Sequence, residues 1–99
     1  KGDVATTHNN LGLLYDKQGK HELAALHLET SLAMRVEALG EKHPDVAATL
    51  YNMAIAKWHA GDIKGAEDSC KLSFKICEEM HGTEHGLTRK REKLLGLLR

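Results

Sequence analysis

Apolar residues recur along this chain at the three- and four-residue spacing of helices. From Val4 to Gln18, Leu11, Leu14 and Tyr15 share a face with the small residue Gly12, and Gly19 closes the segment. A second helix is predicted from about Glu22 to Leu39, with Ala24, Ala25, Leu28, Ser31, Leu32 and Leu39 as its small and apolar stripe. Pro44 opens a third, reaching about Ala60, in which Met53, Ala54 and Ala56 take the places of Leu11, Gly12 and Leu14. Gly61 closes it. A fourth spans about Lys64 to Met80 with Ala66, Cys70, Ser73, Phe74 and Cys77 inward, and Gly82 stops it. The last, Leu87 to Leu98, carries Leu94, Leu95, Leu97 and Leu98. Links of a few residues force neighbouring helices into antiparallel hairpins.

The punctuation is seen whole once, in Gly40-Glu41-Lys42-His43-Pro44-Asp45-Val46-Ala47. Gly40 can take the left-handed conformation that ends helices. Pro44 suits the first turn of the next one, where its missing N–H costs nothing. Asp45 puts negative charge at the positive end of the helix dipole. Gly2-Asp3-Val4-Ala5 matches the end of this joint, and Gly82-Thr83-Glu84-His85 matches its start. The spacing is constant: Asp3 and Asp45, Gly19 and Gly61, Ala24 and Ala66, Ser31 and Ser73, Gly40 and Gly82, His43 and His85 all lie 42 positions apart. Leu11, Met53 and Leu95 continue the series, as do Gly12, Ala54 and Gly96. A fixed period of this size predicts a helical solenoid rather than a closed globule. The chain, 1–99, divides into a repeat over 3–44, a repeat over 45–86 and a partial third repeat, one helix over 87–99.

Composition supports an all-α reading. Of 99 residues only 4% are aromatic and one is proline, and the β-branched and aromatic residues that strands prefer are scarce. Fourteen basic residues balance 14 acidic ones, which is unlike the positive excess of a nucleic-acid binder, so no nucleic-acid partner is expected. Apolar runs of a few residues predict no membrane span. The start, Lys1-Gly2-Asp3, has no signal peptide and no initiator Met, and reads as a piece cut from a longer chain. Cys70 and Cys77 lie on one helix about 10 Å apart along its axis, too far for a mutual disulfide. The expected setting is reducing and cytoplasmic.

With those positions in hand, the chain resembles the tetratricopeptide repeat family. Its signature, W-x2-L-G-x2-Y…A-x3-F on a unit of about 34 residues, is matched in place by His8, Leu11, Gly12, Tyr15, Ala24 and Leu28. The second copy reads Leu50, Met53, Ala54, Lys57, Ala66 and Cys70. The longer period, the joint at Gly40–Ala47, the phrase Tyr15-Asp16-Lys17-Gln18-Gly19-Lys20 and the pair Asn9-Asn10 are similar to the kinesin light chain variety. The second copy departs at Lys57, which stands where Tyr15 does, and at Met80-His81, which stand where Ala38-Leu39 do.

The resemblance implies a right-handed α-solenoid of about two and a half repeats that binds peptides in a groove lined by the first helix of each hairpin. Carried over by position, the first repeat would offer Thr6, Asn9, Asn10, Leu13, Asp16 and Lys17. The second would offer Ala48, Tyr51, Asn52, Ile55, Trp58 and His59. The core of that set is Asn9, Asn10, Leu13, Lys17, Tyr51, Asn52, Ile55, Trp58 and His59. Asn10 and Asn52 lead it, because an amide can pair with a ligand backbone as donor and acceptor. Tyr51, Ile55 and Trp58 make one apolar stripe. It could hold a ligand side chain, although in repeat packing a neighbouring helix is the commoner occupant. The carboxylate clamp of chaperone-binding relatives needs converging Lys, Asn and Arg, and only Lys17 and the Asn residues are in register.

Chemistry beyond binding finds little footing. No glycine-rich phosphate loop, G-x-S-x-G or H-E-x-x-H occurs, so the expectation is a module that is not an enzyme and needs no cofactor. Cys77, His81 and His85 read as C-x3-H-x3-H, but Gly82 interrupts the helix and a fourth ligand is missing, so no metal site is expected. The seven His residues look scattered, solvated or capping. Arg89, Lys90, Arg91 and Lys93 read as a solvated basic face. The functional expectation is a protein–protein interaction module of scaffold or adaptor type. The alternative is self-association into a homo-oligomer through Leu94, Leu95, Leu97 and Leu98, whose expected partner helix is absent.

Overall fold

The structure, a computed structural model, describes residues 2–82 and 85–98. Lys1, Thr83, Glu84 and Arg99 lie outside the described residues, and with them the middle of the Gly82–His85 joint. Five helices follow one another: α1 (Gly2–Lys17), α2 (His21–Leu39), α3 (Pro44–His59), α4 (Ile63–His81) and α5 (Gly86–Leu98). No strand occurs among the described residues. α1 packs on α2, α3 on α4, and α2 and α4 each also pack on the first helix of the next unit, while α1 only grazes α3. This is an all-α helical repeat solenoid.

Local chemistry sets the ends. Gly19, Gly40, Gly61 and Gly82 all have φ between 84° and 90° and terminate the first four helices. A Cβ at any of them would meet nothing within 4 Å, so glycine is required there by conformation and not by space. At the starts, the joint holds a device beyond Pro44 and Asp45. His43 Nδ1 accepts the Asp45 N–H at 3.0 Å. Its counterpart His85 does the same for the Leu87 N–H at 3.1 Å. Each imidazole thus satisfies an otherwise unpaired N–H of the first turn. Asp62 caps α4 through its carboxylate and the Gly65 N–H at 3.0 Å, whereas Lys20, at the same place before α2, gives no side-chain cap.

Close approach decides the core. A Cβ on Gly12 would lie 2.6 Å from Leu28 Cγ and 3.1 Å from the Ala24 carbonyl oxygen. One period on, Ala54 carries that Cβ, and the residue in its cluster is the smaller Cys70. Two serines repeat a buried bond from the second helix of a hairpin to the first: Ser31 Oγ donates to the Ala5 carbonyl at 2.8 Å and Ser73 Oγ to the Ala47 carbonyl at 2.6 Å.

Three expectations are corrected. Leu14 is exposed. It stands two positions past Gly12, and at 3.6 residues per turn it points away from α2. Leu39 is exposed too, because it ends α2 one turn past Val36, the last α2 side chain packed on the second core cluster. The face of α5 is largely covered. Leu94, Leu95 and Leu98 are buried with Ala54, Ala66 and Cys70, leaving only Leu97 of the four exposed, at 62%. The second helix of a hairpin is not needed to cover them, because α3 and α4 already form the wall.

Candidate peptide groove

The first helices of the two hairpins meet edge to edge through polar contacts. Asn52 Nδ2 donates to Asn9 Oδ1 at 3.2 Å, joining α3 to α1. Two turns further on, His59 Nδ1 lies 3.0 Å from Asp16 Oδ2. The same carboxylate meets the first residue of α2, with His21 Nδ1 2.5 Å from Asp16 Oδ1. Asn10, Leu13, Lys17 and His59 are exposed, and Asn9 and Asn52 are half-buried.

Asn9 and Asn52 are therefore brought together, while Asn10 sits one residue round the helix and remains at the surface. The Tyr51, Ile55 and Trp58 stripe is half-buried and packs, with Phe74, on the cluster that holds Leu94, Leu95 and Leu98. A neighbouring helix is thus its occupant. The Tyr51 ring also receives two cations from α5, the Arg91 guanidinium 4.7 Å and the Lys90 ammonium 5.1 Å from its centroid. Burial pushes the Tyr51 phenol up, and the Arg91 charge opposes that.

The basic run on α5 divides. Arg89, Lys90 and Lys93 are exposed, but Arg91 is 3% exposed. Its Nε donates to Ser73 Oγ at 2.6 Å and its Nη1 to the Leu87 carbonyl at 2.9 Å. A guanidinium also spans the preceding repeat boundary, donated from the opposite side: Arg35 of α2 bonds Thr49 Oγ1 of α3 at 2.7 Å. Sequence reasoning missed both, since each arginine lies within a pattern that reads as surface.

The histidines are also less scattered than the chain suggests. His8 and His27 stack with centroids 5.4 Å apart, His81 and His85 at 4.5 Å, and His21 and His59 approach to 5.0 Å. Among the described residues, Asp16, His21 and His59 are the one group whose ligating atoms lie within 4.8 Å of each other as a metal would need. Cys77, His81 and His85 do not converge in this way: Cys77 is buried, and His85 Nδ1 is engaged at the α5 cap. Both thiols are interior. Burial raises Cys70 to about 11 against the opposing Arg91 charge, and raises Cys77 for the same reason. Burial that raises a thiol in this way is the mark of a packed rather than a reactive cysteine. No helix among the described residues is long and apolar enough to cross a membrane.

Stacked antiparallel hairpins, small residues at the close approaches and glycine stops at a fixed period define a helical-repeat solenoid. The sequence profile of the tetratricopeptide repeat matches residues 3–79, and the chain belongs to that family. It is also similar to clustered mitochondria protein homologs of two mosquitoes. Over 93 residues it is 28% identical to that of Culex quinquefasciatus, covering 94% of this chain and 7% of the relative. The same identity holds against Aedes aegypti, over 94% of this chain and 6% of the relative. The chain thus spans well under a tenth of the curated relatives it matches. Repeats of this family generally mediate protein–protein interaction and scaffolding, and are typically not enzymes.

Proposed function

We propose that this chain captures a peptide or protein segment along the α1–α3 face, as a kinesin light chain-like adaptor array working in the cytoplasm without a nucleic-acid partner. The observation that carries this is the Asn9–Asn52 pair. Among the described residues, its one mutual bond leaves the Asn9 amide N–H groups and the Asn52 carbonyl as a donor and an acceptor at a half-buried position. Such a pair can read a backbone without regard to its side chains. Asn10, Leu13, Lys17 and His59 flank it as exposed groups. The aromatic stripe is left out of the ligand site, except where the edges of Tyr51 and Trp58 reach the surface.

The test is selection of binders from a random peptide library on this chain. The selected peptides are then titrated against N9A/N52A. Binding is expected to fall about tenfold or more, in line with loss of a paired buried hydrogen bond, at unchanged circular dichroism. Unchanged affinity sinks the groove reading. Self-association stays as a second reading on narrower ground, the exposed Leu87 and Leu97 on α5. A monomer by sedimentation at high concentration counts against it.

A further inference from the structure

The Asp16 cluster shares His59 with the rim of the peptide site, but its two imidazoles and carboxylate face one another rather than a ligand backbone. Three helix ends converge there: the last turn of α1 carries Asp16, α2 begins at His21, and α3 ends at His59. The carboxylate is half-buried and bound by both imidazoles through their Nδ1 atoms, at 2.5 Å to His21 and 3.0 Å to His59. All the ligating atoms fit within 4.8 Å. A zinc ion holding nitrogen and oxygen at about 2.1 Å sets tetrahedral ligands about 3.4 Å apart, so each imidazole has to part from the carboxylate by no more than about 1 Å to admit the ion.

The surroundings favour a cation. α1 and α3 direct their carbonyl ends, the negative poles of their dipoles, toward this corner, and α2 alone of the three ligand-bearing helices brings its positive pole. Beside it lies an open cleft of about 430 Å³ lined in part by His21, Glu22 and His59, which gives an ion access from solvent. Lys20, the one cation on that wall, has its ammonium 5.8 Å from the centroid of the Tyr15 ring. The second repeat offers no such set, since Trp58 and Ile63 stand where Asp16 and His21 do.

We infer that Asp16, His21 and His59 form a divalent transition-metal site of the two-histidine, one-carboxylate kind, with zinc as the ion it takes. Each imidazole binds the metal through its Nδ1 lone pair as the neutral Nε2–H tautomer, any proton displaced from Nδ1 passing to Nε2 or to solvent, and water completes the shell. Because the ligands come from three helices, the ion ties the first hairpin to the start of the second and fixes the angle between them. The α1–α3 contact it would reinforce is otherwise slight.

The test is calorimetric titration of the metal-stripped chain with Zn²⁺, alongside the visible spectrum of Co²⁺ bound in its place. One ion per chain is expected, with a rise in thermal midpoint on binding. H59A and H21A should each weaken Zn²⁺ binding about tenfold or more and abolish the Co²⁺ bands, and D16N should do the same. His59 is exposed, so its loss leaves the fold intact, and circular dichroism checks this. H27A breaks another close histidine pair, His8 with His27, and should leave binding unchanged. No binding, binding indifferent to H59A, or binding lost in H27A instead would each overturn the assignment.

Discussion

The two hairpins follow one register and settle the same contacts with different residues. In the first, Gly12 gives way to Leu28; in the second, Ala54 faces Cys70. The volume is handed from one helix to the other at constant spacing, as close packing demands. A parallel exchange occurs at the two repeat boundaries. The cation comes from the second helix at the first boundary, as Arg35 to Thr49, and from the first helix at the next, as Arg91 to Ser73. The hairpins differ also in how much they bury. α3, with helices on more than one side, buries Val46, Ala47, Thr49, Leu50, Met53, Ala54 and Ala56, whereas Leu13 and Leu14 of α1 stay exposed. The repeat is therefore a rule about distances between backbones. Which atoms fill those distances is settled pair by pair.

That comparison breaks most readily at the serines. Ser31 makes one buried bond, while Ser73 donates to Ala47 and accepts from the buried Arg91 as well. Ser73→Ala leaves part of a desolvated charge without its acceptor and should cost about 3 kcal/mol, against about 1 kcal/mol for Ser31→Ala. Urea midpoints of the two variants measure the gap, and equal costs would contradict the asymmetry. The volume exchange is next. Gly12→Ala drives a Cβ into Leu28 and should destabilise by about 1.5 kcal/mol. Adding Leu28→Cys copies the second hairpin into the first and should recover part of that loss. A double variant weaker than the sum of the two single changes would show that the pairs are not equivalent.

The smallest expected effect concerns the third unit. Thr88 stands where Val46 does one period earlier, and its buried hydroxyl has no hydrogen-bond partner among the described residues. Thr88→Val should raise stability by about 1 kcal/mol, since it removes an unsatisfied polar atom at nearly constant volume. A fall in thermal midpoint would instead place a partner on that hydroxyl in solution.

Helix positions, glycine stops and the 42-residue period were legible in the chain because they are local matters. A stop needs a residue that tolerates positive φ, and a helix face needs spacing along one segment. Gly19, Gly40, Gly61 and Gly82 needed no tertiary information to be placed. The partners were another matter. Asp16 and His59 are 43 positions apart, Ser73 and Arg91 are 18 apart, and Leu94 and Leu95 are covered by α3 and α4 rather than by a helix to come. An arginine or leucine in a periodic pattern reads the same whether a neighbouring helix covers it or water does. Only the crossing of α5 over the second hairpin buried Arg91, and only the meeting of three helix ends gathered Asp16, His21 and His59. The sequence by itself determined which residues could turn, stop and approach closely, since those are properties of single residues and their near neighbours. The tertiary structure decided which distant side chains share a site, because that depends on the relative placement of whole helices, to which no single residue is sufficient.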